Sequence, residues 1–399
     1  MVFNRNERHT LALTAVGHMG AHCAMLVYPT AAVAIAASEG IGLDVVLGWS
    51  FAGYLVYGLG GLPVGFLTDH VRARWVVRAG VLGIGPALMV VALAEPGSQM
   101  VAALVGVGLL ASLYHPAGLG LISRTVAARG RALGINGVFG NLGIAAAPLA
   151  TDLLLRQFGW RGAYLVIGAV LLLAGLCVSV LRIEEVPPGG VSRDENHHAG
   201  VERAVLFAIL LVAMMLGGFS YRASSVAQPA YYAERVQFLS YGVATSMVYM
   251  LGTFGQYMAG RMADRYDLRF LYIGFHLASL PFVAVMTVAS GMPLMLAASI
   301  FVFFSIGMQP IENSLVARFT PDRWRSTGYG LKFAVVFGIG SLSVRLVEMC
   351  VARYSLAHVF GAITCVVALH VVVAVVLALK TRGRPIRNLP AATVAGDLS

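Results

Sequence analysis

Two sets of residues in this 399-residue chain could do chemistry in apolar surroundings. The first is a group of imidazoles. His18 and His22 stand four apart, which places both rings on one face of a helix. His115 lies in a separate apolar run, nine residues before Arg124. Nine helical residues rise roughly 13 Å, so His115 falls near mid-membrane. Histidine titrates near neutral pH, suits proton coupling, and is the commonest metal ligand. A membrane histidine can equally be a hydrogen-bonding core residue, and both readings stand. The second set is a pair of opposite charges. Glu312 precedes Arg318 by six residues and Lys332 follows Arg325 by seven. They therefore share a depth, roughly 9 and 10 Å inside one boundary. A buried ion pair would cost less than either charge alone. The functional alternative makes Glu312 a proton carrier, its protonation set by burial and by Lys332.

Arg222, Gln309 and Asn313 are further polar residues set in apolar runs. Arg222 and Lys332, with the histidines, outnumber Glu312. Such a site favours an anionic or zwitterionic small molecule gripped by the guanidinium fork. No carboxylate accompanies the histidines, so no bound metal or other cofactor is expected. A metal-ion or metal-chelate substrate remains the alternative. Tyr28, Tyr114, Tyr221, Tyr231 and Tyr232 would either contact a ligand or anchor at the membrane interface. Arg345 and Glu348, three apart, read as a same-face salt bridge. Cys23, Cys177, Cys350 and Cys365 show no metal or disulfide spacing and read as small core residues.

These residues need a lipid-embedded scaffold. The chain is 58% hydrophobic and 12% charged, with mean hydropathy +0.80. A soluble protein of this length could not hide that much apolar surface. About twelve runs of spanning length (roughly 20 residues each) can be marked, centred from Ala21 to Val367. The first follows Arg5 and Arg8, is too long for a signal-peptide core, and reads as a retained span. Net charge is +10, yet this is no nucleic-acid footprint, because the arginines segregate by connection. Arg72, Arg74 and Arg78 flank the one after span two; Arg124, Arg129 and Arg131 the one after span four; Arg261, Arg265 and Arg269 the one after span eight. The positive-inside rule puts both termini in the cytoplasm. The polar segment 183–203 reads as a cytoplasmic linker between six-span halves at 1–182 and 204–381, with a cytoplasmic tail at 382–399.

The halves repeat one another. Gly65-Phe66-Leu67-Thr68-Asp69 recurs 195 positions later as Gly260-Arg261-Met262-Ala263-Asp264. Pro116 and Arg124 match Pro310 and Arg318 at an offset of 194. Glycines at 134, 137, 140 and 143 recur every three residues, as in close helix packing. The G-x-L-x-D copies after spans two and eight, the six-plus-six layout and the central linker resemble the major facilitator superfamily over nearly the whole chain. Tyr114-His115-Pro116 followed by the Gly/Asn-rich span five is similar to fosmidomycin-resistance-type exporters within it. The first copy departs from the family motif, with His70 where Arg is usual.

The resemblance implies an all-α polytopic membrane protein of twelve transmembrane helices in two pseudo-symmetric six-helix halves. Spans one, four, seven and ten would line a central cavity holding His18, His22, His115, Arg222, Gln309, Glu312 and Asn313. Asp69 with Arg124, and Asp264 with Arg318, would latch the cytoplasmic side in one state. The expected protein is no enzyme but a monomeric secondary transporter of the bacterial inner membrane. It would work by alternating access with proton coupling, export being the favoured direction. A non-transporting sensor on the same fold is the other alternative. Neither lysine sits in a phosphate-binding loop, so ATP is not the driver.

Overall fold

The apolar runs fold as helices. The computed structural model describes residues 3–185, 200–319, 325–382 and 386, and no strand occurs among them. Most of the expected linker and tail therefore lie outside the described residues. The helices are α1 (Arg5–Glu39), α2 (Leu43–Leu59), α3 (Gly61–His70), α4 (Ala73–Leu93), α5 (Ser98–Ser112), α6 (Tyr114–Thr125), α7 (Arg129–Ser179), α8 (Gly200–Arg235), α9 (Tyr241–Ala263), α10 (Leu268–Val285), α11 (Gly291–Gly307), α12 (Gln309–Phe319), α13 (Arg325–Phe333), α14 (Ser343–Arg353) and α15 (Leu356–Lys380). Between α13 and α14 the chain widens to a π-turn, Ala334–Gly338, then tightens to a 3₁₀ turn, Ile339–Leu342.

Among the described residues, ten helices are long and apolar enough to cross a membrane. Twelve runs are expected from sequence, and two helices depart from a pattern of one run per spanning helix. The 51-residue α7 is broken at Gly159, where φ is +67° and ψ −177°. Only glycine adopts that conformation readily, and it kinks the chain there. Trp160 Nε1 donates to Glu39 at 2.9 Å, and Arg161 reaches Glu39 (3.9 Å) and Glu95 (3.5 Å), pinning this bend to the end of α1 and the α4–α5 connection. The 23-residue α9 is long enough but carries Thr245, Ser246, Thr253, Gln256 and Arg261. It packs against α7, where the Ser246 hydroxyl accepts from Leu149 N–H at 2.9 Å.

The sequence repeat is a structural repeat. A Cβ on Gly65 would lie 3.9 Å from Pro116 Cβ, and one on Gly260 would lie 4.0 Å from Pro310 Cβ. Each motif glycine thus faces the proline of its matching helix, α6 or α12. The returning chain also docks twice on a helix start. Glu185 accepts from the backbone N–H groups of Ala73 and Arg74 at 2.9 and 3.0 Å, covering the N-terminus of α4. Ile386 accepts from Leu268 N–H at 2.8 Å, at the start of α10. There the N-cap is Asp267, which accepts from Arg269 N–H (3.0 Å) and pairs with the Arg269 guanidinium (2.6 Å). Burial opposes the charged form of Asp267, but these bonds prevail and hold its carboxyl below the usual carboxylate range. A carboxylate at a helix N-terminus is favoured by the exposed N–H groups and their dipole.

One seam joins the N-terminal and C-terminal portions by near backbone contact. A Cβ on Gly58 of α2 would lie 2.0 Å from the backbone nitrogen of Gly338, in the π-turn. Only glycine lets α2 approach so closely.

Candidate functional site

The structure brings His18 and His22 of α1 together with His115 of α6. The His18 Nδ1 lies 2.8 Å from the Asn136 carbonyl oxygen, which makes Nδ1 the protonated nitrogen and turns Nε2 inward. Inward, it meets His22 Nε2 at 3.1 Å. His115 Nε2 meets the Tyr57 hydroxyl at 2.7 Å. Asn136 Nδ2 also donates to the Tyr114 hydroxyl at 2.6 Å, and the Tyr114 ring stacks beside His18 with centroids 5.0 Å apart. One ligand atom from each of the three histidines lies within 4.8 Å of the others, so this group has the spacing to hold a metal ion. The C-terminal portion closes it. Phe333 and Phe337 stack on His115, nearly parallel, at 4.9 and 6.0 Å.

Arg222 of α8 lies beside this group. Its guanidinium sits 3.7 Å over the Tyr54 ring and 5.8 Å from the Tyr221 ring. The residue is 2% exposed, and its Nε–H has no hydrogen-bond partner. No ion pair joins it to a carboxylate among the described residues. Tyr249, within electrostatic reach of Arg222, Tyr54, Tyr221 and Tyr232, has an unpartnered hydroxyl. So do Tyr232 and the whole amide of Gln228, all buried. Tyr28 and Tyr231 differ: they donate to Val46 and Met286 carbonyls at 2.6 Å and serve the core.

Glu312 of α12 and Lys332 of α13 form the expected buried pair at 3.2 Å. Lys332 also donates to Asn313 Oδ1 at 2.7 Å, which ties Asn313 to the ion pair and not to the histidine group. Gln309 is likewise engaged elsewhere. It accepts from Gln256 Nε2 at 2.9 Å, and Gln256 accepts from Asn141 Nδ2 at 2.5 Å, an amide chain from α12 through α9 to α7. Three residues that sequence reasoning missed lie behind Glu312. Tyr272 of α10 donates to Glu312 Oε1 at 3.0 Å and meets His370 Nε2 of α15 at 2.8 Å. The His276 ring of α10 lies against His370, tilted by 32°, with centroids 3.5 Å apart. The signal available in sequence was a histidine inside each of two apolar runs.

The latch residues are partly placed. Arg124 donates to the Thr68 carbonyl at 3.3 Å and lies 3.6 Å from Glu185, an acid that sequence reasoning did not single out. The side chain of Asp69 lies outside the described atoms. Asp264 and Arg318 are both exposed, at the end of α9 and in the last turn of α12. Arg345 and Glu348 do form the expected salt bridge, at 2.6 Å.

This arrangement holds polar side chains on helices within an apolar bundle. The Major Facilitator Superfamily model matches residues 11–344. An MFS-type transporter of Bacillus subtilis strain 168, YfnC, itself uncharacterized, is 22% identical over 301 residues, covering 70% of this chain and 71% of that protein. The fold is similar to that of a bacterial homologue of the human lysosomal transporter Spinster. Its inward-facing occupied structure aligns with TM-score 0.72 at 16% identity, over 98% of this chain and 100% of that one. Its inward-facing unoccupied structure gives 0.70 at 15%, over 95% and 97%. The protein is therefore an integral membrane transporter and not an enzyme, and the chain belongs to the major facilitator superfamily.

Proposed function

We propose that this chain is a proton-coupled secondary transporter of a small anionic or zwitterionic solute. In this reading twelve helices cross the membrane in two pseudo-symmetric six-helix halves, α7 supplying two crossings and α9 one. The halves rock about a central site, and the protein works as a monomer in a bacterial inner membrane. The arginine-rich connections support cytoplasmic termini, and the narrower exporter likeness supports outward transport. Asp69, Arg124, Asp264 and Arg318 serve the cytoplasmic gate, Arg124 with Glu185 as its partner acid.

Arg222 carries the substrate class. A buried guanidinium without a carboxylate is expensive, and an ionisable residue placed so within a membrane marks a functional site. Its fork suits a carboxylate or phosph(on)ate, and the unpartnered Tyr249 hydroxyl within its electrostatic reach is a neutral donor for the same ligand. Glu312, paired with Lys332, carries the proton. Protonating Glu312 releases Lys332 from its counterion, which couples proton uptake to the charge balance of the cavity.

The test uses purified protein and a panel of organic carboxylates, phosphonates and cations. Anions are expected to raise the unfolding temperature of the wild type but not of Arg222→Gln, with Arg222→Lys intermediate. Stabilisation by cations alone would overturn the reading. The spacing of His18, His22 and His115 favours one other reading, a transition-metal substrate. Zinc or nickel binding that survives Arg222→Gln and is lost in His22→Gln would select it. The positive charge of Arg222 beside that group weighs against it.

A further inference from the structure

A buried polar chain lies behind Glu312. It runs through four helices: Lys332 on α13, Glu312 on α12, Tyr272 on α10, His370 on α15, then back to His276 on α10, four residues after Tyr272. Relative exposures along it are 5%, 2%, 1%, 1% and 4%. These five are the titratable groups that face one another here. The neighbouring α8 contributes Gly217, where a Cβ would come within 3.1 Å of the His370 ring. Two histidines set deep among apolar helices earn nothing from packing that a leucine would not supply. A purely structural pair would also have its polar atoms satisfied, as buried polar groups usually are. Yet His276 Nε2 is buried with no partner.

We infer that His276, His370 and Tyr272 form a proton relay serving Glu312. The inference rests on the reading of Glu312 as the proton carrier. In the resting arrangement the Tyr272 hydroxyl donates to Glu312 and accepts from His370 Nε2–H. When His370 is an imidazolium, its Nε2 proton passes to the Tyr272 oxygen while the Tyr272 proton passes to Glu312 Oε1. One N–H and one O–H bond break, and two O–H bonds form. The products are a neutral His370 protonated on Nδ1, an intact tyrosine and a carboxylic acid at Glu312. The net event moves one proton from imidazolium to carboxylate and dissolves the ion pair with Lys332. His276, whose Nε2 is unpartnered, holds the next proton, and its charge beside His370 drives the His370 proton on toward Tyr272. Two imidazolium rings 3.5 Å apart would repel strongly, so the pair stores one extra proton and not two.

The experiment needs no substrate. Time-resolved infrared spectra of the full-length protein in liposomes are recorded after a downward pH jump. The band followed is the C=O stretch of a protonated buried carboxyl, assigned to Glu312 by its loss in Glu312→Gln. The relay predicts that proton arrival at Glu312 slows by on the order of a hundredfold in His370→Gln and Tyr272→Phe, the scale of a lost positioned acid–base group. It also predicts slowing in His276→Gln and equally in His276→Phe, which keeps a ring packed on His370 but cannot hold a proton. Tyr272→Phe keeps the ring and decides the matter if a histidine variant fails to fold. Unchanged arrival rates with the Glu312 band present would overturn the relay and leave Glu312 as the carrier. Absence of any carboxyl band that Glu312→Gln removes would instead overturn the reading of Glu312 itself.

Discussion

The protein holds two groups of histidines, one half-buried and one buried, and their neighbours set them apart. Among the described residues no acid lies beside His18, His22 and His115; the group borders Arg222, and Phe333 and Phe337 stack on His115. His276 and His370 reach a carboxylate through one tyrosine and lie near no unpaired cation. The same side chain is thus set against a ligand-gripping charge in one place and against a proton-carrying one in the other. The sequence alignment of the two portions already located the asymmetry. Gly118 stands where the second portion has Glu312, and Val138 where it has Lys332. The shared scaffold, with its matched glycine–proline contacts, carries two different sets of chemistry.

The largest expected effect contrasts the two buried cations. Lys332→Ala leaves Glu312 buried without its partner and should lower stability by about 3–5 kcal/mol at neutral pH. Pairing it with Glu312→Gln should restore most of that loss. Arg222→Met removes a cation that no carboxylate compensates, so stability should be unchanged or higher while anion binding disappears. Unfolding curves in detergent report the first quantity and thermal shifts with the anion panel the second. If Arg222→Met is as damaging as Lys332→Ala, Arg222 has a structural counterion and the contrast between the groups fails.

A smaller effect separates the covered group from the wired one. Gly58→Ala puts a methyl group into the backbone of the π-turn that presents Phe337. Forced overpacking of this kind costs about 1–3 kcal/mol. The turn should retreat and uncover His115, raising its reactivity toward an imidazole-modifying reagent, while His276 and His370 stay protected. Equal exposure of both groups would mean that the seam holds the whole fold and not one lid.

Much of this organisation was legible in the sequence. The apolar runs point to the helical membrane class, and the repeated Gly-x-x-x-Asp frame to a structural repeat, seen in the matched Gly65–Pro116 and Gly260–Pro310 approaches at 3.9 and 4.0 Å. Equal depth below one boundary foretold the Glu312–Lys332 pair, because helical rise converts spacing into height. His276 and His370 stayed hidden because they meet across helices far apart in sequence, through a tyrosine on which nothing local bears. Glu185 stayed hidden for the same reason: its value comes from the chain returning to cover the start of α4. Gln309 and Asn313 were placed on the right helices, but depth alone does not fix which way a residue faces around the helix axis.

The glycines of α7 make that last point testable at the smallest scale. Their three-residue spacing reads as one close-packed stripe. The structure divides it. A Cβ on Gly140 would meet the His18 ring at 2.4 Å, and one on Gly143 the Met19 backbone at 2.3 Å, whereas Gly134 and Gly137 face open space within 4 Å. A rotation of 300° per three residues carries successive glycines around the helix, so only part of the run can face α1. Gly140→Ala should therefore push His18 off the Asn136 carbonyl and weaken ligand binding at the first histidine group. Gly134→Ala and Gly137→Ala should stabilise by up to about 1 kcal/mol, the helix-propensity gain alone, with binding unchanged. Thermal unfolding of the three variants, side by side with the anion panel, reads both. Loss of stability at 134 or 137 would mean that a partner packs there in another state of the transport cycle, and the stripe would then serve the movement and not the histidine site.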